Sequence, residues 1–330
     1  MSGKLPMAVI GTGHFGKFHA QKIAASERAE LCAVADIDAT RGKAVGDSLG
    51  VRAVSDYREL LGEVEAVCIA VPTHAHHAVA SECLKHGLHV LIEKPIADTL
   101  AAADSLIDLA KEKDRILQVG HLVRFSGVAG ALRSHANRPL YIDSLRITPF
   151  QGRGTDVNVI LDLMIHDIDL ILSLIDAPIT DIDAAGAPVF SENEDICNAR
   201  IKFANGCIAT ITASRISFKT ERRMRIFQPS NYLSVNFDEQ SLNVVRRAAK
   251  GNVIPGVDIA EHRYEEVDAL EQEIESFITC ILENQTPLVG GKEGRQALEA
   301  ALTVTRKLQE HASFVMSANS DSDFERLAKG

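Results

Sequence analysis

The strongest constraint on the fold is a glycine-rich turn between a short apolar run and a helical pattern. Leu5–Ile10 has the length of a strand, and Gly11-Thr12-Gly13-His14-Phe15-Gly16 follows it directly. In a G-x-G-x-x-G turn, the first glycine allows the tight turn, the second lets the backbone approach a pyrophosphate, and the third allows close helix–strand packing. The N–H groups that begin the helix favour the phosphates. The turn therefore predicts a dinucleotide-binding βαβ unit.

A carboxylate after the next predicted strand supports this interpretation and bears on the cofactor. Glu30–Ala35 is the predicted strand, and Asp36 follows it, 20 residues beyond Gly16. A carboxylate at this position hydrogen-bonds the adenosine ribose and repels a 2′-phosphate, so the sequence favours NAD over NADP. Arg41 could weaken that preference, although it could equally be a solvated helix residue.

The first third of the chain continues as alternating strands and helices. The predicted segments are strands at Ala66–Val71, Leu88–Ile92 and Arg115–Gly120, with helices at 75–86 and 99–113. This alternation is typical of a parallel, doubly wound sheet.

Composition narrows the classes of protein and partner. The chain has 330 residues, of which 46% are hydrophobic and 24% charged, as expected for a globular protein of two domains. A net charge of −10 without a dense basic run argues against nucleic acid or membrane as a partner. The 6 cysteines are dispersed without a C-x-x-C pair, and the sequence shows neither a leader nor a spanning run, so we expect a cytoplasmic protein. His74, His76 and His77 lack a complementary Cys/His set, so no metal is expected.

Residues 157–175 place polar side chains along one side of an otherwise aliphatic helix. At about 100° per residue, Asp162, His166 and Asp169 fall on one stripe, whereas Asp167 lies about 140° from Asp162 and should face elsewhere. Polar groups on a buried helix need partners or a lined cavity. Asp162 and His166 are therefore either a structural core pair or part of a site in which the carboxylate orients the imidazole.

A lysine ends one of the predicted parallel strands. Glu93-Lys94-Pro95 follows an apolar run, which places an ammonium group at the carboxyl edge of the sheet, where the nicotinamide is expected. Pro95 restricts the backbone of Lys94 and could hold the turn through a cis bond. Taken alone, Lys94 could also be a surface lysine that caps the strand.

After about Gly120 the pattern changes to short β-type segments. We predict strands at Leu140–Phe150, Ile179–Pro188, Ile196–Phe203, Cys207–Ser214, Arg222–Gln228, Tyr232–Phe237 and Leu242–Arg247, and helices at 122–135, 157–175, 268–284 and 293–313. Asn205-Gly206 is a strong hairpin signal. One sheet with helices on one face leaves the other face to be covered, which suggests a homodimer or homotetramer through that sheet. The expected domains are 1–121 and 122–316, followed by a polar, frayed tail at 317–330.

Four motifs that occur in order resemble one enzyme family. They are the glycine-rich turn, Val71-Pro72-Thr73 with His76, Glu93-Lys94-Pro95, and Asp162-x-x-x-His166 with Asp169. This set, covering about residues 5–315, resembles the glucose–fructose oxidoreductase, inositol dehydrogenase and rhizopine-catabolism (Gfo/Idh/MocA) family. The resemblance implies an N-terminal Rossmann domain, a C-terminal α+β domain with a large open, mostly antiparallel sheet, and NAD(P)-dependent oxidation of a sugar or polyol hydroxyl.

The resemblance also implies roles for individual residues. Lys94 is similar to the family's active-site lysine, Asp162 and His166 match its D-x-x-x-H pair, and Asp169 matches an acidic residue often found at the substrate. Arg124 resembles an arginine near cofactor and substrate. The positions that match cofactor-lining residues are Gly11, Gly13, His14, Phe15, Gly16, Asp36, Ala70, Pro72, Thr73, His76, Glu93 and Lys94, with Thr73 at a position where Asn is commoner.

In this reading His166 is the general base, Asp162 orients it, and Lys94 binds the hydroxyl oxygen, although the first and last roles could be exchanged. The loop Thr148–Val157 is glycine-rich and carries Arg153, which suits an anionic group such as a diphosphate or else pairs with a surface carboxylate.

The sequence of that loop, leading into Asp162 and His166, resembles the corresponding sequence of the family members that oxidise UDP-N-acetylglucosamine at carbon 3. Those enzymes act on a route to diamino-sugar lipid A. The alternatives are a dehydrogenase of inositol, another polyol or a free sugar, and a regulator that binds NAD(P) without turnover.

Overall fold

The apolar run before the glycine-rich turn lies within a six-stranded parallel sheet. The computed structural model describes residues 3–151, 157–229, 231–248, 256–265 and 267–319, without the side chains of 312–319. The chain divides into two compact units, one of residues 1–126 with 267–298 and the other of residues 127–266 with 299–330. Each unit is described by itself.

The first unit is the doubly wound domain that the sequence predicted. Its elements up to residue 120 are β1 (Leu5–Ile10), α1 (His14–Ala25), β2 (Ala29–Ala35), α2 (Ala39–Leu49), β3 (Arg52–Val54), β4 (Ala66–Ile69), α3 (Thr73–Lys85), β5 (His89–Glu93), α4 (Leu100–Glu112) and β6 (Leu117–Gly120). The strand order in this sheet is β3-β2-β1-β4-β5-β6. No bounds were predicted for helix α2, although Arg41 was allowed as a helix residue, and strand β3 was not predicted. Strand β3 is only 3 residues long, too short for a periodic hydrophobic pattern.

The second unit is built on an eight-stranded sheet. Its elements are α5 (Gly127–His135), β7 (Tyr141–Ile147), α6 (Ile165–Leu174), β8 (Ile179–Ala187), β9 (Ile196–Phe203), β10 (Ile208–Ser214), β11 (Glu221–Phe227), β12 (Asn231–Asn236), β13 (Ser241–Arg247) and β14 (Val257–Arg263). The strand order is β14-β13-β12-β11-β7-β10-β9-β8, and every neighbouring pair is antiparallel except β7 with β10. The mostly antiparallel sheet is confirmed, with β14 as a strand that the sequence did not predict.

Alternation of side chains places the core on one face of this sheet. On β9, Cys197, Ala199, Ile201 and Phe203 are buried, whereas the residues between them are more exposed. The predicted hairpin joins β9 to β10, with Gly206 at a φ of +86°, a conformation that favours glycine.

Two predicted helices differ from the regular helices that the sequence suggested. Residues 122–135 form a 3-10 turn, Leu122–Phe125, and then α5, because Ser126 between them has an extended backbone. Residues 157–175 begin with a π-helical turn, Ile160–Met164, before α6. In that turn the N–H of Ile165 donates to the carbonyl of Ile160, five residues back.

The last two helices are α7 (Ala269–Leu282) and α8 (Gly291–Asn319), so helix continues past the predicted end at residue 313 and into the predicted tail. Residues 320–330 of that tail lie outside the described residues. The sequence assigned 267–298 to the second domain, whereas these residues belong to the first compact unit. The reason is packing, since Ile274, Phe277 and Ile278 join Met7 and Ile23 in one core cluster. In the part of the chain that the structure describes, no helix is long and apolar enough to cross a membrane.

Candidate active site

The glycine-rich turn has the close approaches that the sequence predicted. Gly11 has a φ of +89°, and a Cβ on it would lie 2.7 Å from the carbonyl oxygen of Ala70. A Cβ on Gly16 would lie 1.8 Å from the carbonyl oxygen of Gly11. Gly13 precedes α1, and among the described residues nothing lies within 4 Å of the position of its missing Cβ. The turn is therefore closely packed on its protein side and open at the N-terminus of α1, which is where a pyrophosphate is accommodated.

Asp36 lies at the end of β2, where the prediction placed it, and its carboxylate is fully engaged by protein groups. Oδ2 accepts from the backbone N–H and hydroxyl of Thr12, at 2.7 and 2.8 Å, and Oδ1 accepts from the backbone N–H of Asp38 at 2.9 Å. Arg41 adds a bidentate contact, with Nε–Oδ2 at 2.9 Å and Nη2–Oδ1 at 2.7 Å. Burial opposes ionisation, but Arg41 and Thr12 hold the pKa of Asp36 well below its usual range.

Exposed rings stand on the first turns of α1. His14 makes edge-on contacts with Phe15 and Phe18, with ring centroids 5.4 and 5.2 Å apart. Ile37, directly after Asp36, is 94% exposed. Phe18 and Ile37 were not predicted as site residues. A large apolar side chain that is exposed beside the nucleotide turn can mark a ligand contact. Its exposure cannot be read from the sequence.

The turn after β4 carries Ala70, Pro72 and Thr73, which are partly or fully exposed, and Thr73 begins α3. His76 is buried instead, with Nδ1 2.8 Å from the carbonyl oxygen of Pro95 and Nε2 2.9 Å from that of Val71. Burial lowers the pKa of His76. The imidazole therefore lies between the turn after β4 and the turn after β5. In its neutral form it donates a hydrogen bond to one of the two carbonyls and packs against the other.

Glu93 and Lys94 close β5 at the same edge of the sheet. The Lys94–Pro95 peptide bond is cis, as the sequence suggested, and Lys94 is half-buried. Glu93 Oε1 lies 2.7 Å from Nε2 of His19, and its Oε2 accepts the backbone N–H of Lys94 at 3.3 Å. Arg124 lies in the 3-10 turn after β6 and is largely buried. The first unit thus brings the predicted cofactor-lining residues and Lys94 to the carboxyl edge of one parallel sheet.

In the second unit, Asp162 lies within the π-helical turn and His166 in the first turn of α6, and both are half-buried. Asp169 is buried. The side chain of Asn158 accepts the N–H of Leu161 at 3.1 Å and so begins the helical segment. A π-helical turn inserts extra backbone into the helix, so Asp162 and His166 are not related by one regular α-helical turn as predicted.

Asp167, which the sequence predicted to face elsewhere, forms a buried ion pair. Arg146 on β7 contacts it through Nε–Oδ2 at 2.6 Å and Nη2–Oδ1 at 3.1 Å, and the hydroxyl of Ser144 donates to Oδ1 at 3.0 Å. The pair fixes the rotation of α6 on the sheet.

A second buried pair holds the start of the helical segment and was not predicted. Arg215 contacts Asp195 through Nε–Oδ1 at 2.8 Å and donates from Nη1 to the carbonyl of Val157 at 2.8 Å. Asp195 also accepts the backbone N–H groups of Val189, Phe190 and Ser191. Burial raises the pKa of Asp195, but Arg215 and these donors outweigh it and lower the pKa below its usual range. Arg153 lies outside the described residues.

Comparison with known proteins places these features in a family. The family model described as "Oxidoreductase family, NAD-binding Rossmann fold" matches residues 5–121, and the GFO/IDH/MocA C-terminal domain matches residues 122–229. The UDP-N-acetylglucosamine 3-dehydrogenase of Acidithiobacillus ferrooxidans is 40% identical over 299 residues, covering 90% of this chain and 95% of the relative. The myo-inositol 2-dehydrogenase of Thermotoga maritima is 24% identical, covering 93% and 97%.

Solved structures agree. A structure of the Acidithiobacillus ferrooxidans enzyme matches with a TM-score of 0.90 and 38% identity, covering 94% of this chain and 99% of that one. The scyllo-inositol dehydrogenase of Lactobacillus casei with bound NAD(H) and scyllo-inositol has a TM-score of 0.80 at 22% identity, covering 94% and 98%, which shows the shared fold.

The chain belongs to the Gfo/Idh/MocA family of oxidoreductases. It is an NAD-dependent enzyme, and the open glycine turn and the exposed N-terminus of α1 fit that cofactor.

Proposed function

We propose that this protein is a UDP-N-acetylglucosamine 3-dehydrogenase, which oxidises the 3-hydroxyl of the sugar to a ketone with NAD. The observation that carries this proposal is 40% identity to an enzyme of that name over 90% of the chain. The TM-score of 0.90 to its structure supports the same reading. The anion-binding character of the loop before the π-helical turn, inferred from its glycines and Arg153, suits the diphosphate.

NAD, when bound, supplies the acceptor for the hydride that leaves the sugar carbon. The chain must remove the hydroxyl proton and hold the oxygen. We propose that His166, oriented by Asp162, removes the hydroxyl proton. The ammonium group of Lys94 binds the hydroxyl oxygen and stabilises its developing negative charge. Arg124, Arg153 and Asp169 are proposed to bind other parts of the substrate.

The roles of Lys94 and His166 are separable by substitution. Lys94→Ala and His166→Ala should each lower kcat by about 10²- to 10⁴-fold. They should leave NAD affinity nearly unchanged, because neither side chain binds the cofactor's phosphates in the proposed mechanism. Turnover by stopped-flow absorbance and NAD binding by calorimetry measure the two quantities. Wild-type turnover in His166→Ala would remove the proposed base.

The substrate is tested with a panel. We expect NADH formation with UDP-N-acetylglucosamine, with kcat/KM at least about 10²-fold above that for myo-inositol, scyllo-inositol or free N-acetylglucosamine, since a site built around a diphosphate loses its contacts with each of them. The second candidate is an inositol dehydrogenase, favoured by the inositol-oxidising relatives. Activity on inositol with none on the UDP-sugar would establish it, and cofactor binding with no turnover on any sugar would indicate a regulator.

The sheet of the second unit supports a homo-oligomer. Tyr141, Phe227 and Tyr232 form a row of rings across adjacent strands, with centroids 5.7 and 4.9 Å apart, and Ile259 at the edge strand is 46% exposed. An apolar row on a sheet face is typical of a contact surface. Phe227→Arg should convert a dimer or tetramer to monomer in light scattering, and an unchanged mass would place the contact elsewhere. We further propose that the enzyme acts in the cytoplasm on a route to lipid A.

A further inference from the structure

Three ionisable side chains that have no role in the proposed reaction lie close together near the carboxyl edge of the parallel sheet, where Lys94 lies. His19 on α1, Glu93 at the end of β5 and Glu273 on α7 have ligand atoms all within 4.8 Å of one another. His19 and Glu273 are each 0% exposed. All three belong to the first compact unit. Cys68 on β4 adjoins His19 and is also buried.

Glu93 is well supplied with donors. It contacts His19 Nε2 at 2.7 Å and accepts the backbone N–H of Lys94 at 3.3 Å. Gly120 on β6 leaves room for it, since a Cβ there would lie 3.2 Å from Oε2 of Glu93. These contacts suit a negatively charged carboxylate.

Glu273 has the opposite surroundings. Among the described residues, neither of its carboxyl oxygens has a hydrogen-bond partner, and the side-chain amide of Gln118 donates to its backbone carbonyl instead, at 2.9 Å. A buried carboxylate without a hydrogen-bond donor is unfavourable, and a second carboxylate nearby makes it more so.

Among the described residues, none of the charged groups on the elements around α7 donates a hydrogen bond to the Glu273 carboxyl. Helix α1 presents His19, which pairs with Glu93, and Lys22, which pairs with Asp268 and Glu271 at the exposed end of α7. Strand β4 presents the Cys68 thiol, β5 presents Glu93 followed by Lys94, and the 3-10 turn that packs on α7 carries Arg124, preceded by His121.

The direction of each titration agrees with this geometry. Burial and the neighbouring Glu93 raise the pKa of Glu273 well above its usual range, and they outweigh the opposing effect of His19. Burial opposes the charges of the other two, yet His19 lowers the pKa of Glu93, and Cys68 and Glu93 raise the pKa of His19.

We propose that Glu273 carries a proton in the native protein and that this neutral carboxyl lets Glu93 remain ionised, paired with His19 and bonded to the backbone of Lys94. Glu273 is then a positioning residue that acts through Glu93. This second part rests on the proposed role of Lys94. When alkaline pH removes the proton from Glu273, two adjacent carboxylates repel, Glu93 loses its place and the backbone of Lys94 loses an acceptor.

Infrared difference spectroscopy tests the charge state and needs no turnover. At neutral pH, the difference between the wild type and Glu273→Gln should show loss of the carbonyl stretching band of a neutral carboxylic acid. Loss of a carboxylate band instead would overturn the proposal. Glu271→Gln, on the exposed side of the same helix, is the matched control and should remove a carboxylate band. If Glu273→Gln does not fold, Glu273→Met is uncharged, of similar length, and gives the same reading.

The pH profile of kcat tests the positioning role. Glutamine cannot lose the proton, so Glu273→Gln should shift the alkaline limb of the profile upward by about one pH unit or more, whereas Glu271→Gln should leave the limb in place. An unshifted limb in Glu273→Gln would remove the positioning role.

A bound cation is the competing occupant of the cluster. Metal analysis of the purified wild type should find no stoichiometric divalent ion. One ion per chain that is lost in Glu273→Gln would overturn the proposal. If the protein oxidises no sugar, the proposed function fails, while the infrared and metal measurements still decide the charge of Glu273.

Discussion

Asp167 in the second unit and Glu273 in the first are both buried carboxyls on helices, and they differ in what surrounds them. Asp167 receives a bidentate contact from Arg146 and a hydroxyl from Ser144. The carboxyl group of Glu273 receives no hydrogen bond from any described residue and lies beside another carboxyl. The first arrangement locks a helix onto a sheet. The second stores a proton next to the residue that precedes Lys94. Burial alone therefore does not tell whether an acid is structural.

The largest expected effect comes from breaking the buried pair. Asp167→Asn leaves the Arg146 guanidinium buried without its counter-charge, so the free energy of unfolding should fall by about 3–5 kcal/mol. Urea unfolding followed by circular dichroism measures it. A loss below about 1 kcal/mol would mean that the pair behaves like a surface contact.

Glu273→Gln should raise the free energy of unfolding above neutral pH, whereas Asp167→Asn lowers it. Because the folded pKa of Glu273 is raised above the unfolded value, its favourable contribution is complete below the unfolded pKa and is lost as pH rises through the folded pKa. The variant should gain stability relative to the wild type as pH rises from about 5, by up to about 1.4 kcal/mol per pH unit until Glu273 ionises. Unfolding midpoints across pH measure this, with Glu271→Gln as the control. A constant difference would contradict the raised pKa.

The ion pair of Arg41 with Asp36 is only half-buried. Asp36 is buried, whereas the side chain of Arg41 is 47% exposed. An arginine that can turn toward solvent can also contact a 2′-phosphate. Arg41→Ala should lower the kcat/KM ratio of NADP to NAD by about 10- to 100-fold, the equivalent of one hydrogen bond to a charged group. Steady-state kinetics with both cofactors measure it. Arg52→Ala, which removes an exposed pair with Glu63, should leave the ratio unchanged.

The smallest effect is expected at an exposed pair of the second unit. Arg222 Nη1 and Asp238 Oδ1 are 3.6 Å apart, with side chains 49% and 34% exposed. Asp238→Asn retains an acceptor for the backbone N–H of Arg222 and should change the unfolding free energy by at most about 1 kcal/mol. A cost near that of Asp167→Asn would show that burial is not what separates the two pairs.

Local patterns predicted much of the fold. The run Leu5–Ile10, the glycine turn and the Asn205-Gly206 hairpin are each specified by a few consecutive residues, and the structure confirms all three. Short or edge elements, such as β3 and β14, were missed because a strand of few residues or an exposed edge strand carries little periodic signal. The π-helical turn at Ile160–Met164 was also missed, because a helical pattern does not reveal an inserted backbone residue.

The sequence by itself determined the cofactor turn, because the missing Cβ atoms of Gly11 and Gly16 are local facts that few backbones can use. Only the tertiary structure decided that α7 joins the first unit, through contacts such as Ser26 with Glu275, 249 residues apart along the chain. It also decided the charge of Glu273. A carboxyl's proton depends on burial and on its neighbours, and these come from β5 and α1, segments that no local pattern connects to α7.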